Sequence, residues 1–101
     1  MCIEGKLVKD RLVISPLVDI DEHTANDLRR EIDSLIDRNN FSKLVFDFSN
    51  IQFMDSTGIG MILGRYKKLQ KLKIGVAVRN ANRQIDKVLR ASGLYEIFMN
   101  E

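Results

Sequence analysis

The stretch Phe53–Lys67, FMDSTGIGMILGRYK, decides the fold because strand-like patterning changes to helical patterning within it. The run before it, Leu44–Phe48 (LVFDF), is apolar and typical of a buried strand. Apolar residues then recur at spacings of three, one and three, at Ile59, Ile62, Leu63 and Tyr66. That is the period of an α-helix. The pattern predicts a strand, a short loop and then a helix over residues 56–70, with Ser56 in the first turn of that helix.

Two more strands and a helix are predicted before this stretch. Lys6–Val8 and Arg11–Ile14 read as strands around a polar turn. Thr24 is the predicted start of the helix, in a capping box where Asp27 replaces the usual Glu. The apolar stripe of this helix consists of Ala25, Leu28, Ile32, Leu35 and Ile36.

A strand, a helix and an edge strand are predicted after it. Lys73–Val78 is the strand, Asn80 is the expected cap of the third helix, and Gly93 ends that helix. Leu94–Phe98 is predicted as the edge strand. Strands that alternate with helices indicate crossover connections. We therefore predict one α/β domain over residues 1–101, with a mixed, mainly parallel sheet and packed helices.

Composition places the chain among ordinary globular domains. Hydrophobic residues make up 45% and charged residues 30% of its 101 residues. No apolar run approaches the roughly 18 residues of a membrane span, and the first ten residues are too polar for a signal peptide. Cys2 is the only cysteine, which excludes an internal disulfide. We expect a cytoplasmic protein without a membrane partner.

The charges are unevenly distributed along the chain. Residues 65–90 carry nine Lys or Arg and one acid, whereas residues 19–37 carry seven acids and two Arg. A basic region can bind nucleic acid. Here the basic residues interleave with apolar ones, and Tyr66 is the nearby ring on which a base could stack. A solvated surface is the preferred interpretation, so no nucleic-acid partner is expected.

Few residues could support catalysis or cofactor binding. His23 is the only histidine, and neither a GxSxG elbow nor a GxxxxGK[ST] phosphate loop is present. The glycines at Gly58, Gly60 and Gly64 have the wrong spacing for a dinucleotide fingerprint and are interpreted as packing positions. Asp19, Asp21 and Glu22 could hold a divalent cation, but acids near a helix start are more simply favoured by the helix dipole. We expect no enzyme activity, metal or cofactor.

Ser56 is the residue with most functional promise. A hydroxyl at a helix start often satisfies a backbone amide. Asp55 can take that role, which would leave the Ser56 hydroxyl pointing outward. Met54 and Ile59 would then place apolar side chains around a polar centre, a composition that suits a protein contact. A helix N-terminus also accommodates an anion, and serine acquires one by phosphorylation.

At these residues the chain resembles the anti-sigma factor antagonists of the STAS domain family. Their D-S-[ST]-G motif stands here as DSTG at Asp55–Gly58. Asp21–Thr24 (DEHT) is similar to their D-x-H-T segment, and Arg90–Leu94 (RASGL) to their S-G-L helix end. The string MDSTGIGMILGRYK is most similar to the sporulation type. Val18-Asp19 departs from the usual sequence before the first loop, and Thr57 replaces the second serine of some sporulation members.

The resemblance implies a switch operated by phosphorylation. The unmodified protein would bind an anti-sigma factor that is also a serine kinase, and so release the sigma factor. The kinase would then phosphorylate Ser56 and end the complex, and a PP2C-type phosphatase would reset the switch. The partner-binding residues implied are Asp21, Glu22, His23, Thr24, Met54, Asp55, Ser56, Thr57, Gly58 and Ile59.

Two alternatives remain open at this point. The same fold could serve as a non-kinase scaffold or sensor subunit of a larger stress-signalling complex. Direct nucleotide binding is a lesser alternative, because the chain lacks a phosphate loop. A switch protein is expected to be a monomer or weak dimer.

Overall fold

A computed structural model describes residues 1–100 of the chain, with side chains for residues 1–98. The strands are β1 (Ile3–Val8), β2 (Arg11–Pro16), β3 (Lys43–Asp47), β4 (Gly75–Arg79) and β5 (Met99–Asn100). The helices are α1 (Ala25–Arg38), α2 (Ser56–Gln70) and α3 (Arg83–Ala91), and a short 3-10 turn follows at Leu94–Glu96. The predicted bounds of α2 are confirmed, while β1 and β2 are longer than the sequence pattern indicated.

The five strands form one sheet in the order β1-β2-β3-β4-β5. β1 is antiparallel to β2, and the other neighbours are parallel. This arrangement confirms the predicted mixed, mainly parallel sheet with packed helices. Because the carboxyl ends of β2 and β3 lie at the same edge of the sheet, the loops that lead into α1 and α2 begin side by side.

The helices pack on one face of the sheet. Ile14, Phe46 and Val78 point from three neighbouring strands into the same core as the α1 residue Leu28 and the α2 residue Ile62. All five are at most 1% exposed. Burying a side chain of this size contributes about 1.5–3 kcal/mol, so this layer supplies the main driving force of folding.

The other face of the sheet carries a separate, narrower apolar row. Val13, Val45 and Ala77 are paired across β2, β3 and β4 and form their own buried cluster. Asp47 is a buried acid at the end of β3, where it accepts hydrogen bonds from the Ser49 amide and the Arg79 side chain. Burial opposes its ionisation, but these bonds outweigh burial and lower the pKa of Asp47.

The start of α3 differs from the prediction. Asn80 does not cap the helix: it has a left-handed backbone with φ 61° and donates its side-chain amide to Asp47. Asn82 is the N-cap, and its Oδ1 accepts the Ile85 amide at 2.9 Å. Two asparagines lie within three residues, and the sequence pattern did not distinguish the turn residue from the cap.

The predicted edge strand at Leu94–Phe98 is wrong. Leu94–Glu96 forms a 3-10 turn after Gly93, whose φ of 78° confirms its predicted role as a helix stop. Leu94 and Phe98 are both buried, and the Phe98 ring lies 5.5 Å from that of Tyr66. Leu94 and Phe98 are four positions apart and both face the core, a spacing that favours a helical turn over a strand. The last strand is β5, which pairs with β4.

Candidate functional site

The two loops in which the sequence places the partner-binding residues lie against each other. Ile20 and Met54 form an isolated parallel bridge between them. The Ile20 amide donates to the Phe53 carbonyl at 3.0 Å, and the Asp55 amide donates to the Ile20 carbonyl at 3.1 Å. Residues 21–24 and 55–57 are therefore brought to one end of the molecule, next to the starts of α1 and α2.

The start of α2 presents Ser56 to solvent. Asp55 is the N-cap, and its Oδ1 accepts the Thr57 amide at 2.9 Å. Ser56 and Thr57 are both exposed. Within residues 1–98 the Ser56 hydroxyl has no hydrogen-bond partner. The prediction that Asp55 caps the helix and leaves Ser56 free is confirmed.

Residues far away in sequence fix the loop before Ser56. Asp19 Oδ1 accepts the amides of Gln52 and Phe53, at 2.9 and 3.2 Å. On the other side, Gln84 Oε1 accepts the Met54 amide at 2.9 Å, and Gln84 Nε2 donates to the Met54 carbonyl at 2.8 Å. The loop backbone is thus held between the first loop and the start of α3. Gln84 was not identified from the sequence, because nothing in the pattern of α3 marks it.

Gly58 allows α2 to approach the bridge between the loops. A Cβ at this position would lie 2.6 Å from Met54 Cγ and 2.8 Å from Ile20 Cγ2. The predicted close-packing role of Gly58 is therefore confirmed. It is wrong for Gly60 and Gly64, where a Cβ would meet nothing within 4 Å. Sequence spacing cannot distinguish Gly58 from the other two glycines, because the difference lies in its tertiary contact with Ile20 and Met54.

The first loop is held mainly by its own side chains. Asp21 Oδ1 accepts the amides of His23 and Thr24, at 2.8 and 3.1 Å. The Thr24 hydroxyl donates to the Asp19 carbonyl at 2.7 Å and accepts the Asp21 amide at 3.1 Å. Thr24 is the N-cap residue of α1 but makes no capping bond with its side chain. The predicted capping box is wrong because the loop already uses the hydroxyl and Asp27 pairs with Arg30 instead.

Two of the three acids of the first loop, Asp19 and Asp21, have structural partners. Asp19 and Asp21 each accept two backbone amides through one carboxylate oxygen. Within residues 1–100 there is no group of three His, Cys, Asp or Glu side chains arranged to hold a metal ion. The geometry assigns these carboxylates to loop bracing, which is a third interpretation beside the cation site and the helix dipole.

The apolar part of the predicted contact surface differs from the expectation. The Met54 side chain is fully buried, and Gly58 is buried and has no side chain, so neither residue can contribute an apolar group to an exposed patch. Their backbone instead shapes the loop. Phe53, which the sequence reasoning did not select, is 42% exposed, and Ile59 is half-buried. Alternation along the loop turns Phe53 outward and Met54 inward.

The charged part of the surface is solvent-exposed. The side chains of Glu22 and His23 are 77% and 83% exposed, with Nε2 and Oε1 3.7 Å apart. Elsewhere, part of the basic segment faces part of the acidic one across the two helices: Arg65 Nε lies 3.0 Å from Asp33, and Lys68 Nζ lies 3.2 Å from Asp37. Lys68 is partly exposed in its pair, as a solvated surface requires, whereas the Arg65 side chain is only 13% exposed, so that prediction is wrong for Arg65.

Comparison with known proteins identifies the family. Residues 5–101 match the STAS domain family. The anti-sigma F factor antagonist of Paenibacillus polymyxa is 36% identical over 86 residues, covering 85% of this chain and 74% of that protein. The counterpart from Lysinibacillus sphaericus is 26% identical over 88 residues, covering 87% of this chain and 75% of that protein.

Solved structures agree with the sequence matches. The anti-sigma factor antagonist SpoIIAA in its unphosphorylated form has a TM-score of 0.81 and 26% identity, over 98% of this chain and 87% of SpoIIAA. The phosphorylated Bacillus SpoIIAA has a TM-score of 0.72 and 25% identity, over 98% of this chain and 90% of that one. None of the helices in residues 1–100 is long and apolar enough to cross a bilayer. From its motifs, its fold and its relatives, we conclude that this chain belongs to the STAS domain family.

Proposed function

We propose that this protein is an anti-sigma factor antagonist whose binding is switched off by phosphorylation of Ser56. The observation that carries the proposal is the exposed Ser56 hydroxyl at the start of α2, which has no hydrogen-bond partner among residues 1–98 and follows a loop whose backbone is already fixed. A kinase can reach this hydroxyl without unfolding the loop. The relatives named as anti-sigma F factor antagonists support the same assignment.

The proposed partner is an anti-sigma factor with serine kinase activity in the cytoplasm. The surface offered to it combines the exposed polar residues Glu22 and His23, the Ser56 hydroxyl and the ring of Phe53. An apolar group among polar ones is typical of a protein contact surface. The kinase supplies the nucleotide, the magnesium and the catalytic base, so this chain is the substrate and not an enzyme.

Phosphorylation changes the charge of this surface without needing a new fold. A phosphoserine carries about −1.5 to −2 charges at pH 7. The helix dipole of α2 favours a negative charge at Ser56, so the folded state persists. The same charge lies beside Asp55, whose amide is bonded to the first loop near Asp21. Burying this unpaired charge in an interface opposes binding, so the complex dissociates. A PP2C-type phosphatase would restore the unmodified form.

The site of modification is tested by intact-mass measurement after incubation with the candidate kinase and Mg-ATP. The unmutated protein is expected to gain one phosphate and Ser56→Ala none. Thr57→Ala is the matched control, because Thr57 is also exposed and adjacent. A phosphate on Ser56→Ala would move the acceptor elsewhere, and no phosphate on any variant with an active kinase would contradict the proposal.

The switch itself is tested by the affinity for the same partner. Ser56→Ala should bind as tightly as the unmodified protein, whereas Ser56→Asp should bind at least about tenfold more weakly, a difference of about 1.4 kcal/mol. Gln70→Asp, an exposed position at the other end of α2, serves as the charge-matched control and should bind like the unmutated protein. Equal affinity of Ser56→Ala and Ser56→Asp would contradict the mechanism, and failure of all variants to bind would favour a scaffold role.

A further inference from the structure

The strand β1 lies at an edge of the sheet and has a free side. The Leu17 amide donates to the Cys2 carbonyl at 2.8 Å, which continues the β1–β2 register beyond Ile3 and Pro16. Hydrogen-bonded and non-hydrogen-bonded pairs alternate in an antiparallel ladder. Since Cys2 bonds to β2, the backbone groups of Glu4 and Lys6 also point to β2. Those of Ile3, Gly5 and Leu7 therefore point away from the sheet.

The free edge has a defined beginning. The carboxylate of Glu31 accepts the Cys2 amide at 2.9 and 3.1 Å. Burial opposes ionisation of Glu31, but bonds from the backbone of Cys2 and Ile3 outweigh it and lower its pKa. Because the Ile3 amide points away from β2 and is bonded to Glu31, the edge available for pairing runs from the Ile3 carbonyl through Gly5 to Leu7. An edge strand with such free groups is a template for another strand.

The charge sequence of this edge is complementary to itself. If two copies of β1 pair antiparallel about a two-fold axis at Gly5, Ile3 lies opposite Leu7 and Glu4 lies opposite Lys6 of the other copy. Shifting the axis to Glu4 or to Lys6 would place like charges opposite each other, which is destabilising. In the register about Gly5, the residues that form hydrogen bonds to the other copy are those whose backbone groups point away from the sheet. This register therefore also satisfies the alternation of an antiparallel ladder.

An apolar groove beside β1 fits the same two-fold arrangement. The groove has a volume of about 680 Å³, and its walls include Ile3, Gly5, Leu17 and Leu35. Leu17 is 41% exposed and Leu7 48% exposed. Leu7 is paired with the core residue Leu12 and so lies on the helix-covered face of the sheet. In the two-fold register, Leu7 of a second copy lies opposite Ile3, at this groove.

The outer side of α1 is complementary in charge about the same axis. A Cβ on Gly5 would lie 2.5 Å from Leu35 Cδ1, so Leu35 sits directly over the proposed axis. Glu31 and Arg38 also line the groove, about one helical turn on either side of Leu35. A two-fold axis near Leu35 would bring Glu31 of one copy toward Arg38 of the other. Two elements thus favour the same symmetric arrangement.

We propose that the β1 edge is a homodimer interface, in which two copies of this chain pair antiparallel about Gly5 and join their sheets. The ladder contains reciprocal Gly5–Gly5 bonds, together with bonds from the Leu7 amide to the Ile3 carbonyl of the other copy. A contact of this length is smaller than the roughly 800 Å² per partner of a standard interface. The dimer is therefore weak and depends on concentration. This proposal is independent of the Ser56 switch.

Sedimentation velocity of the full chain, from micromolar to millimolar concentration, tests the interface. The unmutated protein is expected to shift from monomer mass to twice that mass. Glu4→Lys and Lys6→Glu should each weaken dimerisation at least about tenfold, because each places like charges opposite each other. Both residues are exposed, so both variants should fold. Lys87→Glu, on the exposed surface of α3, is the control for Lys6→Glu because it makes the same charge change away from β1.

Mixing the two variants provides the decisive measurement. An equimolar mixture of the Glu4→Lys and Lys6→Glu proteins has opposite charges at every cross-strand position, so it is expected to recover the mass of a dimer. The double variant Glu4→Lys/Lys6→Glu should also dimerise. A protein that stays monomeric throughout, a dimer insensitive to both charge changes, or a mixture that does not recover dimerisation would each overturn the proposal.

Discussion

The starts of α1 and α2 lie in neighbouring loops but are built in different ways. In the first loop, the Asp21 carboxylate and the Thr24 hydroxyl bind the backbone of the same short segment. In the second loop, Asp55 caps the helix locally, but the backbone before it is held by Asp19 and Gln84. Those residues lie about 30 positions away in sequence.

The difference explains how Ser56 can be both positioned and free. A hydroxyl in the first loop, that of Thr24, is used to brace the loop and is half-buried. In the second loop, side chains from elsewhere bond to the backbone, so the Ser56 hydroxyl is not needed for structure. When distant residues hold the loop backbone, the hydroxyl in the loop stays available for modification, as at Ser56. When the loop is held by its own side chains, the hydroxyl is used for structure, as at Thr24.

The largest expected effect comes from closing the space between the loops. Gly58→Ala places a methyl group against Met54 and Ile20 and should lower the free energy of unfolding by about 2–3 kcal/mol. Gly64→Ala is the matched control on the same helix, where a Cβ meets nothing within 4 Å. It should raise stability by about 0.5–1 kcal/mol. Urea unfolding of both variants measures the difference, and equal stability would contradict the close-approach role of Gly58.

Removing the external brace should have the next largest effect. Gln84→Met keeps the size of the side chain but leaves the amide and carbonyl of Met54 without their partner. The expected loss of stability is about 1–3 kcal/mol. Hydrogen exchange should show faster exchange of the Met54 amide in this variant. Gln70→Met, at an exposed position on α2, controls for the chemical change. An unchanged exchange rate at Met54 would show that Gln84 does not brace the loop.

The local cap of α2 should matter less than its external brace. Asp55→Ala removes the acceptor of the Thr57 amide and should lower stability by about 1 kcal/mol. Asp55→Asn, which retains a capping oxygen, should recover most of the loss.

In the first loop, Thr24→Ser keeps the hydroxyl that braces the loop, so the free energy of unfolding should not change. Thr24→Val removes this hydroxyl and should lower the free energy of unfolding. The reverse order for the two Thr24 variants would contradict internal bracing by the hydroxyl.

The smallest effect at neutral pH is expected outside both loops. The Tyr95 hydroxyl donates to Asp86 at 2.7 Å. Burial is the larger cause and this hydrogen bond the next, and together they raise the pKa of Tyr95 from 10.0 to about 12. The folded state therefore holds this proton more tightly than the unfolded state. The contribution of Tyr95 to the free energy of unfolding is therefore complete below pH 10 and is lost as the pH rises through about 12.

Tyr95→Phe should consequently flatten the alkaline part of the stability curve while changing stability by only about 0.5 kcal/mol at pH 7. Unfolding by urea between pH 8 and 12 measures this dependence. The Gly58→Ala and Gln84→Met variants should retain the alkaline slope, since Tyr95 lies outside the site. A slope unchanged by Tyr95→Phe would assign it to other groups.

Local sequence patterns predict the helices and strands of this chain better than the contacts between them. The bounds of α2, the cap at Asp55 and the stop at Gly93 follow from local preferences, because each depends on residues within one or two turns. The cap of α3 was predicted at Asn80 rather than Asn82, since both can end a strand or begin a helix. The burial of Met54 was missed because it depends on the bridge to Ile20.

What the sequence determined by itself was the alternation of strands and helices and the position of Ser56 in the first turn of α2. Periodicity and capping act over a few residues, so they can be read along the chain. The tertiary structure decided which loop residues are exposed, that Gln84 and Asp19 hold the loop, and that Gly58 alone among the three α2 glycines is crowded. These properties arise where segments distant in sequence meet, so no local pattern contains them.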